Sequence, residues 1–293
     1  MSRAVQRHYD SLSLLYRLFW GEHLHHGYWA EPNQSPRSAQ EQLVAVLAER
    51  AGVEPGEEVL DVGCGYGASG RWLADRLACR VTGITLSRRQ ARFGRRRNDR
   101  LRGGNRPRVL RADAAHLPFP ESSFDVVWVV ECLEHLEDKP SFIRAAAHRL
   151  RPGGRLAVCS WMRGERLGPA GESLVAEVCE RFLCPSLATA WDYASWCRES
   201  GLRVAFSEEL TGRVRPTWDV VVRRVGRPWL APVKALLHPS NRHFVDGFET
   251  IARAMDTRSL TYGLLVAKRS GIGLRLRPGE GQRNEARPRS RPS

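Results

Sequence analysis

The sequence lacks the marks of a membrane-spanning or disulfide-stapled protein. No apolar run approaches the ~18 residues needed to cross a bilayer. The first ten residues, MSRAVQRHYD, have no unbroken apolar core and no small-residue cleavage site. No secretory signal is therefore expected, and the expected setting is cytoplasmic. The seven cysteines, at 64, 79, 132, 159, 179, 184 and 197, form neither a CxxC pair nor a Cys/His cluster with zinc spacing. That odd set reads as reduced thiols, with no disulfide framework and no metal. No internal repeat is visible. Acidic residues are short, 32 against 46 basic, for a formal charge of +14. Such a balance favours anionic ligands or surfaces but does not bear on fold. What remains is an ordinary globular mix, 42% hydrophobic and 27% charged over 293 residues. It excludes wholesale disorder and suits one large domain or a domain with a lid.

Along the chain, residues 5–20 place Tyr9, Leu12, Tyr16, Phe19 and Trp20 on roughly one helical face. A polar aromatic loop, GEHLHHGYW, follows at 21–29, and an amphipathic helix at 37–51 ends on Gly52, a C-cap residue. After the Pro55-Gly56 turn, strand and helix patterns alternate. Strands are expected at 58–62, 80–84, 107–112, 124–130 and 155–161, with helices near 67–77, 87–100 and 140–150. The run DVVWVV fits a strand buried on both faces. Beyond 161 the alternation breaks. Helices near 172–183 and 191–200 precede a strand at 202–206, and helices near 216–237 and 242–256 precede a last strand at 260–267.

This pattern predicts an α/β fold: a doubly wound, Rossmann-like, seven-stranded and mostly parallel sheet, with an N-terminal helical cap and helical lid insertions. The expected divisions are a cap at 1–52, a nucleotide-binding core at 53–161, the rest of the sheet with its lid at 162–270, and a basic tail at 271–293. The tail is rich in Gly, Pro and Arg and poor in large apolar residues, so it is expected to be disordered.

The strongest signal is VLDVGCGYGASG, which follows a strand and opens a helix. Doubly wound sheets bind nucleotides there, at the carboxyl ends of their strands. Glycines let the backbone approach the ligand. A glycine loop alone is weak evidence, because NAD enzymes use one too. Two details point elsewhere. Asp61 stands before the first glycine, where it would crowd a pyrophosphate but could pair with an ammonium group. After the third strand, ADAAHLPF places Asp113 to accept from an adenine amino group, with the Ala114 N–H beside a ring nitrogen. On its own, Asp113 reads equally well as a turn or cap residue.

With EVLDVGCGYG, VTGITLS, RADAAHLPFPESSFDVV and LRPGGRLAV in place, residues 56–161 resemble the class I S-adenosylmethionine-dependent methyltransferases. The resemblance implies that Asp61, Gly63 and Gly65 bind the methionine part of S-adenosyl-L-methionine, and that Asp113 and Ala114 hold its adenine. The second strand ends in GITLS with Gln90 one turn later, where many members carry an acidic ribose ligand. This form is similar to the tocopherol, sterol and cyclopropane-fatty-acid subgroup, in which Thr85, Leu86 and Gln90 would replace that carboxylate. The opening YDSLSLLYRLFWGEHLHHGYW is similar to tocopherol O-methyltransferase-like enzymes, where such a segment folds over the cofactor and closes the acceptor pocket. That similarity implies that Tyr9, Tyr16, Trp20 and His26 line the acceptor site, with Tyr28 on the cofactor side. Plain packing of these aromatics onto the core is the competing reading, and it is preferred for Phe19.

Methyl transfer from a sulfonium is an in-line displacement that creates little charge, so the protein must align the reactants and exclude water. An acceptor proton must also leave. VVECLEHLED follows the fourth strand and offers His135 as base, because histidine titrates near neutrality, and Glu131 to touch the cofactor or cradle a developing cation. His135 could equally cap or pack a short helix. The lid would supply the acceptor pocket, with Trp161 and Trp218 as candidate walls among Trp191, Tyr193, Phe244 and Tyr262.

The implied activity is methylation of a small hydrophobic acceptor such as a phenol, quinol or alkaloid, on O, N or C. An alternative is C-methylation of a prenyl or sterol alkene through a carbocation. A nucleic-acid methyltransferase is the alternative from another class, suggested by the basic surface. It lacks support, because no NPPY-type motif and no PC motif are present. No nucleic-acid partner is expected. Residues 88–111 carry eleven arginines against Asp99 alone. They read as a solvated face or as a peripheral contact with anionic membrane.

Overall fold

In the computed structural model, residues 5–7, 9–11, 17, 20–101, 105–227 and 238–271 are described. Residues 5–7 and 9–11 are helical. Helix α1 (Pro36–Ala51) starts where the Ser35 side chain accepts from the Ser38 N–H and Pro36 fills the first turn. It stops at Gly52, which takes a left-handed φ of 57° and whose N–H bonds the last carbonyls. Buried Arg155 fixes this end. Its guanidinium donates to Ala51 O at 2.7 Å, to Gly52 O, and to both carboxylate oxygens of Glu57.

The alternating part then reads β1 (Glu58–Val62), α2 (Ala68–Leu77), β2 (Arg80–Thr85), α3 (Arg88–Asn98), β3 (Arg108–Arg111) and β4 (Phe124–Val130). A short 3-10 turn (Leu133–His135), α4 (Lys139–Arg149) and β5 (Leu150–Arg163) follow. The lid half contains α5 (Pro169–Phe182), α6 (Ala190–Glu199), β6 (Leu202–Glu209), α7 (Thr211–Val214), α8 (Pro216–Val225), α9 (Pro239–Asp246), α10 (Phe248–Asp256) and β7 (Leu260–Arg269).

The seven strands form one sheet in the order β3-β2-β1-β4-β5-β7-β6. All pairs are parallel except those made by β7, which runs antiparallel between β5 and β6. Side chains alternate across the sheet, as strand geometry requires. Val59, Trp128 and Cys159 enter one core, while Leu60, Val129 and Val158 enter the other. The strand order reverses between β1 and β4, which opens a crevice at their carboxyl ends.

The expected fold class is the observed one. Two boundaries differ for physical reasons. The helix expected over 242–256 is divided at Gly247, which caps the second part and packs so close to α5 that a Cβ there would lie 2.9 Å from Arg181 Cδ and 3.0 Å from Phe182 Cε2. The helix expected over 216–237 ends at Val225, where Gly226 caps it with its N–H on Val222 O, and residues 228–237 lie outside the described part. The tail from 272 onward lies outside it as well. In the arginine-rich stretch, several guanidinium groups bond the chain itself. Arg95 donates to Val109 O, Arg111 to Leu86 O, and Arg97 pairs with Glu22 at 3.1 Å. Among the described residues, no helix is long and apolar enough to cross a membrane.

Candidate active site

The loop after β1 is built from left-handed glycines, with φ of 75° at Gly63 and 53° at Gly65. Gly63 is required for a second reason: a Cβ there would fall 2.6 Å from the Cys132 side chain. The loop's backbone therefore lies against the end of β4, at the crevice. Asp61 points into this crevice at 3% exposure. The Gly70 N–H bonds its carboxylate, and Oδ2 has no partner. Burial pushes the Asp61 carboxyl up to about 7, against the pull of that N–H and of Arg71. A buried carboxylate with an open oxygen is costly unless a cation meets it. An amino acid's ammonium group fits it.

Asp61, Gly63, Gly65, Thr85, Leu86 and Gln90 line this one cleft together. Thr85 Oγ1 donates to Gln90 Oε1 at 2.7 Å, so the two side chains are held as a pair facing the cleft. Ser87 caps α3 by accepting from the Gln90 N–H, and its hydroxyl donates to Asp10 of the N-terminal segment. That bond ties the segment across the cleft mouth, and Val5, Gln6 and Tyr9 line the same space. Asp113 and Ala114 are not among the lining residues. Asp113 Oδ1 accepts from the Ala115 N–H at 2.9 Å and shapes the turn after β3. It is still near enough to help raise the Cys132 thiol, chiefly displaced by burial, and Cys132 does line the cleft.

A second cleft adjoins the first. Its walls are aromatic, with Trp20, Trp161, Phe182, Trp218 and Phe244 around the polar side chains of His26, Glu134 and His135. The cavity itself is narrow, about 40 Å³, so its aromatic lining with a few polar groups, and not its open volume, marks it as a small-molecule site. Tyr9, Leu24, Glu131 and His135 line both clefts and mark where they meet.

The polar groups at this junction are tightly arranged. Glu131 takes a positive φ of 50°, an unusual conformation for a side-chain-bearing residue. Its Oε1 accepts from the His26 N–H at 2.7 Å, from His26 Nδ1–H at 2.9 Å and from the Tyr262 hydroxyl at 2.9 Å. Burial alone would raise the Glu131 carboxyl. His26 and its two donated bonds, with His25 behind, hold it below the usual carboxylate range. Glu134 is the opposite case. Burial, with Glu131 beside it, pushes its carboxyl up to about 8, so it is mostly neutral at pH 7. His135 Nδ1 faces Leu183 O at 3.2 Å, an atom that can only accept, so Nδ1 carries the hydrogen. Nε2 then accepts the Tyr9 hydroxyl at 3.0 Å. Burial lowers the His135 pKa and favours this neutral ring.

The loop at 21–29 is pinned from both sides. Gln40 Nε2 donates to His23 O and His25 O, and the Gly27 N–H donates to Thr217 Oγ1. Gly27 lies so close to α1 that a Cβ would meet Ala39 Cβ at 2.5 Å. Tyr28, expected on the cofactor side, lies elsewhere. Its N–H donates to Ala39 O and its ring lies under the Arg213 guanidinium at 5.5 Å, so it lines neither cleft. Tyr16 lies outside the described residues. Of the other lid aromatics, Trp191 is 63% exposed and Tyr193 is buried in the opposite core. Phe182 and Leu24 line the acceptor cleft without any sequence signal to single them out. Tyr262 was visible as a lid aromatic, but its bond to Glu131 spans 131 residues and no local pattern reports it.

Residues 60–158 match the family model described as a methyltransferase domain. The chain is 31% identical over 275 residues to 27-O-demethylrifamycin SV methyltransferase of Amycolatopsis mediterranei (strain S699), covering 90% of this chain and 96% of that protein. It is 30% identical over 245 residues to the chloroplastic tocopherol O-methyltransferase of Arabidopsis thaliana, covering 76% and 69%. Among solved structures, the cyclopropane synthase MmaA2 from Mycobacterium tuberculosis superposes with a TM-score of 0.81 at 18% identity, covering 90% of this chain and 97% of that one. That likeness concerns the fold.

Proposed function

The chain belongs to the class I S-adenosylmethionine-dependent methyltransferases that act on small molecules, and from that premise we propose that it methylates a hydroxyl group on a hydrophobic acceptor seated in the aromatic cleft. The observation that carries this reading is the shared wall. Tyr9, Leu24, Glu131 and His135 face both the cofactor cleft and the aromatic cleft, so a methyl donor in one meets an acceptor in the other.

When bound, S-adenosylmethionine supplies an electrophilic methyl group and a sulfur that leaves uncharged. Asp61 would hold its ammonium group, the Gly63–Gly65 backbone its carboxylate end, and the Thr85–Gln90 pair with Leu86 its ribose side. The adenine end would lie toward Ala114 and Asp113. The N-terminal segment, tied by Asp10 to Ser87, shields these groups from water. In the aromatic cleft, ring faces from Trp20, Trp161 and Trp218 position a flat or prenylated acceptor. Positioning of this kind removes several kcal/mol of barrier, up to ~7–11 in the best intramolecular cases. The Tyr9–His135 bond latches the floor between the two clefts.

Methylation of an alkene through a carbocation would need an open carboxylate facing the cleft. Burial keeps Glu134 mostly neutral at pH 7, and three donors on Oε1 draw the charge of Glu131 toward His26 and Tyr262, leaving its second oxygen alone for a cation. A hydroxyl acceptor, which needs a base, suits these groups better, and the names of both relatives are those of methyltransferases with oxygen targets. The test is incubation with labelled cofactor and a panel of phenols, quinols, indoles and prenyl diphosphates, read by mass spectrometry. The expected product is an O-methyl ether of a hydroxylated compound. Label appearing only on prenyl carbon would overturn the reading.

A further inference from the structure

Two histidines face the acceptor cleft, and they differ in what their outer nitrogens touch. His135 Nε2 already accepts the Tyr9 hydroxyl. His26 Nε2 has no hydrogen-bond partner, although the residue is 1% exposed and lines the cleft. The remaining atoms of His26 are fully engaged. Its backbone N–H and its Nδ1 both meet Glu131 Oε1, at 2.7 and 2.9 Å. Its ring lies edge-on to Trp161 and Trp218, with centroids 5.8 and 5.1 Å away, and tilted against Tyr262 at 5.3 Å. The ring can neither flip nor swing without breaking these contacts.

An ionised carboxylate can only accept, so Nδ1 must carry a hydrogen. In the neutral ring the lone pair then sits on Nε2, which is buried without a partner in a residue that lines the acceptor cleft. Burying such an atom unpaired is costly unless a ligand group completes it. The arrangement repeats the logic of a carboxylate–imidazole pair. The acid fixes the tautomer and orientation and stabilises the cation that forms. Tyr262 adds a third donor to the same oxygen and fixes the carboxylate from the β7 side. The unusual backbone of Glu131 places that carboxylate beside His26 rather than along the strand.

We propose that His26 is the general base of the reaction, with Glu131 and Tyr262 as positioning residues, and that His135 with Tyr9 closes the cleft. This rests on the hydroxyl-acceptor reading above. The acceptor O–H proton passes to His26 Nε2 as the oxygen bonds the methyl carbon. The carbon–sulfur bond breaks with its electron pair retained on sulfur. His26 becomes an imidazolium facing the Glu131 carboxylate, and the proton later leaves to solvent. The titratable groups facing His26 are Glu131, Tyr262, Glu134, His135 and Tyr9 around the cleft, and His25 beside it in the loop.

The test has an arm that needs no turnover. Nitrogen-15 NMR of histidine-labelled protein without cofactor should find His26 with hydrogen on Nδ1 and none on Nε2 at pH 8. Hydrogen on Nε2, or on both nitrogens, overturns the assignment. In the second arm, the phenol that the wild type methylates best is used throughout. His26→Ala should lower kcat by about 10²–10³-fold, with the Kd for S-adenosylhomocysteine within about twofold of wild type by the tenfold scale of affinity. Glu131→Gln should move the acid limb of the kcat–pH profile to lower pH, because the imidazolium loses its counter-charge. A fall in kcat without that movement leaves Glu131 a purely structural part. His135→Ala slowing kcat more than His26→Ala also overturns the proposal. If the wild type methylates no phenol or quinol, the hydroxyl reading fails, while the NMR arm still judges the tautomer.

Discussion

The two clefts share a wall but are assembled in different ways. The cofactor cleft draws Asp61, Gly63 and Gly65 from one turn, and Thr85, Leu86 and Gln90 from the next strand end and helix start. The acceptor cleft gathers Trp20 and His26 from the N-terminal loop, Glu131 and His135 from the end of β4, Trp161 from β5, and Phe182, Trp218 and Phe244 from three lid helices. The first is a property of short segments and the backbone they specify. The second exists only when segments more than a hundred residues apart are packed together. A class of enzymes can therefore keep its donor site recognisable while its acceptor walls change freely.

The sharpest break of this comparison is at Asp61. Asp61→Ala should weaken S-adenosylhomocysteine binding by about a hundredfold or more, in line with loss of a buried charge partner. Calorimetry reading an unchanged Kd would remove the residue from the donor site.

Next in size is the contrast between two lid tryptophans, one buried at the acceptor cleft and one exposed. Trp218→Ala, at 1% exposure against Trp20, His26, Trp161 and Phe248, should cost about 3–5 kcal/mol in urea denaturation. Trp191→Ala, at 63% exposure, should stay within about 0.5 kcal/mol. Equal losses would mean that the lid packs differently from the structure.

Protons give a third handle. Between pH 7 and 6 the raised Asp61 carboxyl takes up a proton that an ammonium ligand must displace. Affinity for S-adenosylhomocysteine should therefore rise with pH from 6 to 7.5, by at most about tenfold per unit. A flat profile would separate Asp61 from the ammonium group.

The last effect concerns the protein without ligand. Asp61 and Glu134 have folded pKa values raised to about 7 and about 8, so the native state holds more protons than the unfolded one. Their contribution is full at low pH and is lost as pH rises through those values. His23, at about 2, and His25 and His135 are lowered, chiefly by burial. Their opposite trend is complete once the unfolded histidine pKa of ~6.5 is passed. From pH 6.5 to 8, stability should therefore fall, by no more than about 1.4 kcal/mol per unit for each acid. Urea titrations of wild type and Glu134→Gln check it, and the variant should show the shallower slope.

Much of the fold was legible because its causes are local. Strand and helix periods, the Gly52 cap, and the glycines that alone tolerate the turn after β1 all act within a few residues. The expected strand at 58–62 and the one at 124–130 coincide with β1 and β4. The acceptor side was legible only as a list of aromatic and titratable residue types. Tyr28 and His26 stand two apart in one loop, and the resemblance placed Tyr28 at the cofactor and His26 at the acceptor. Gly27 stands between them, tight against Ala39, with one ring against Arg213 and the other at the cleft.

The sequence by itself determined the alternating framework and the donor turn, because hydrophobic period and backbone freedom are written residue by residue. Only the tertiary structure decided which tryptophans wall the acceptor cleft, and that Glu131 grips His26 across 105 residues while His135 is spent on Tyr9. Hydrogen bonds and ring contacts between distant segments depend on where the sheet and lid bring them, and no local pattern records that meeting.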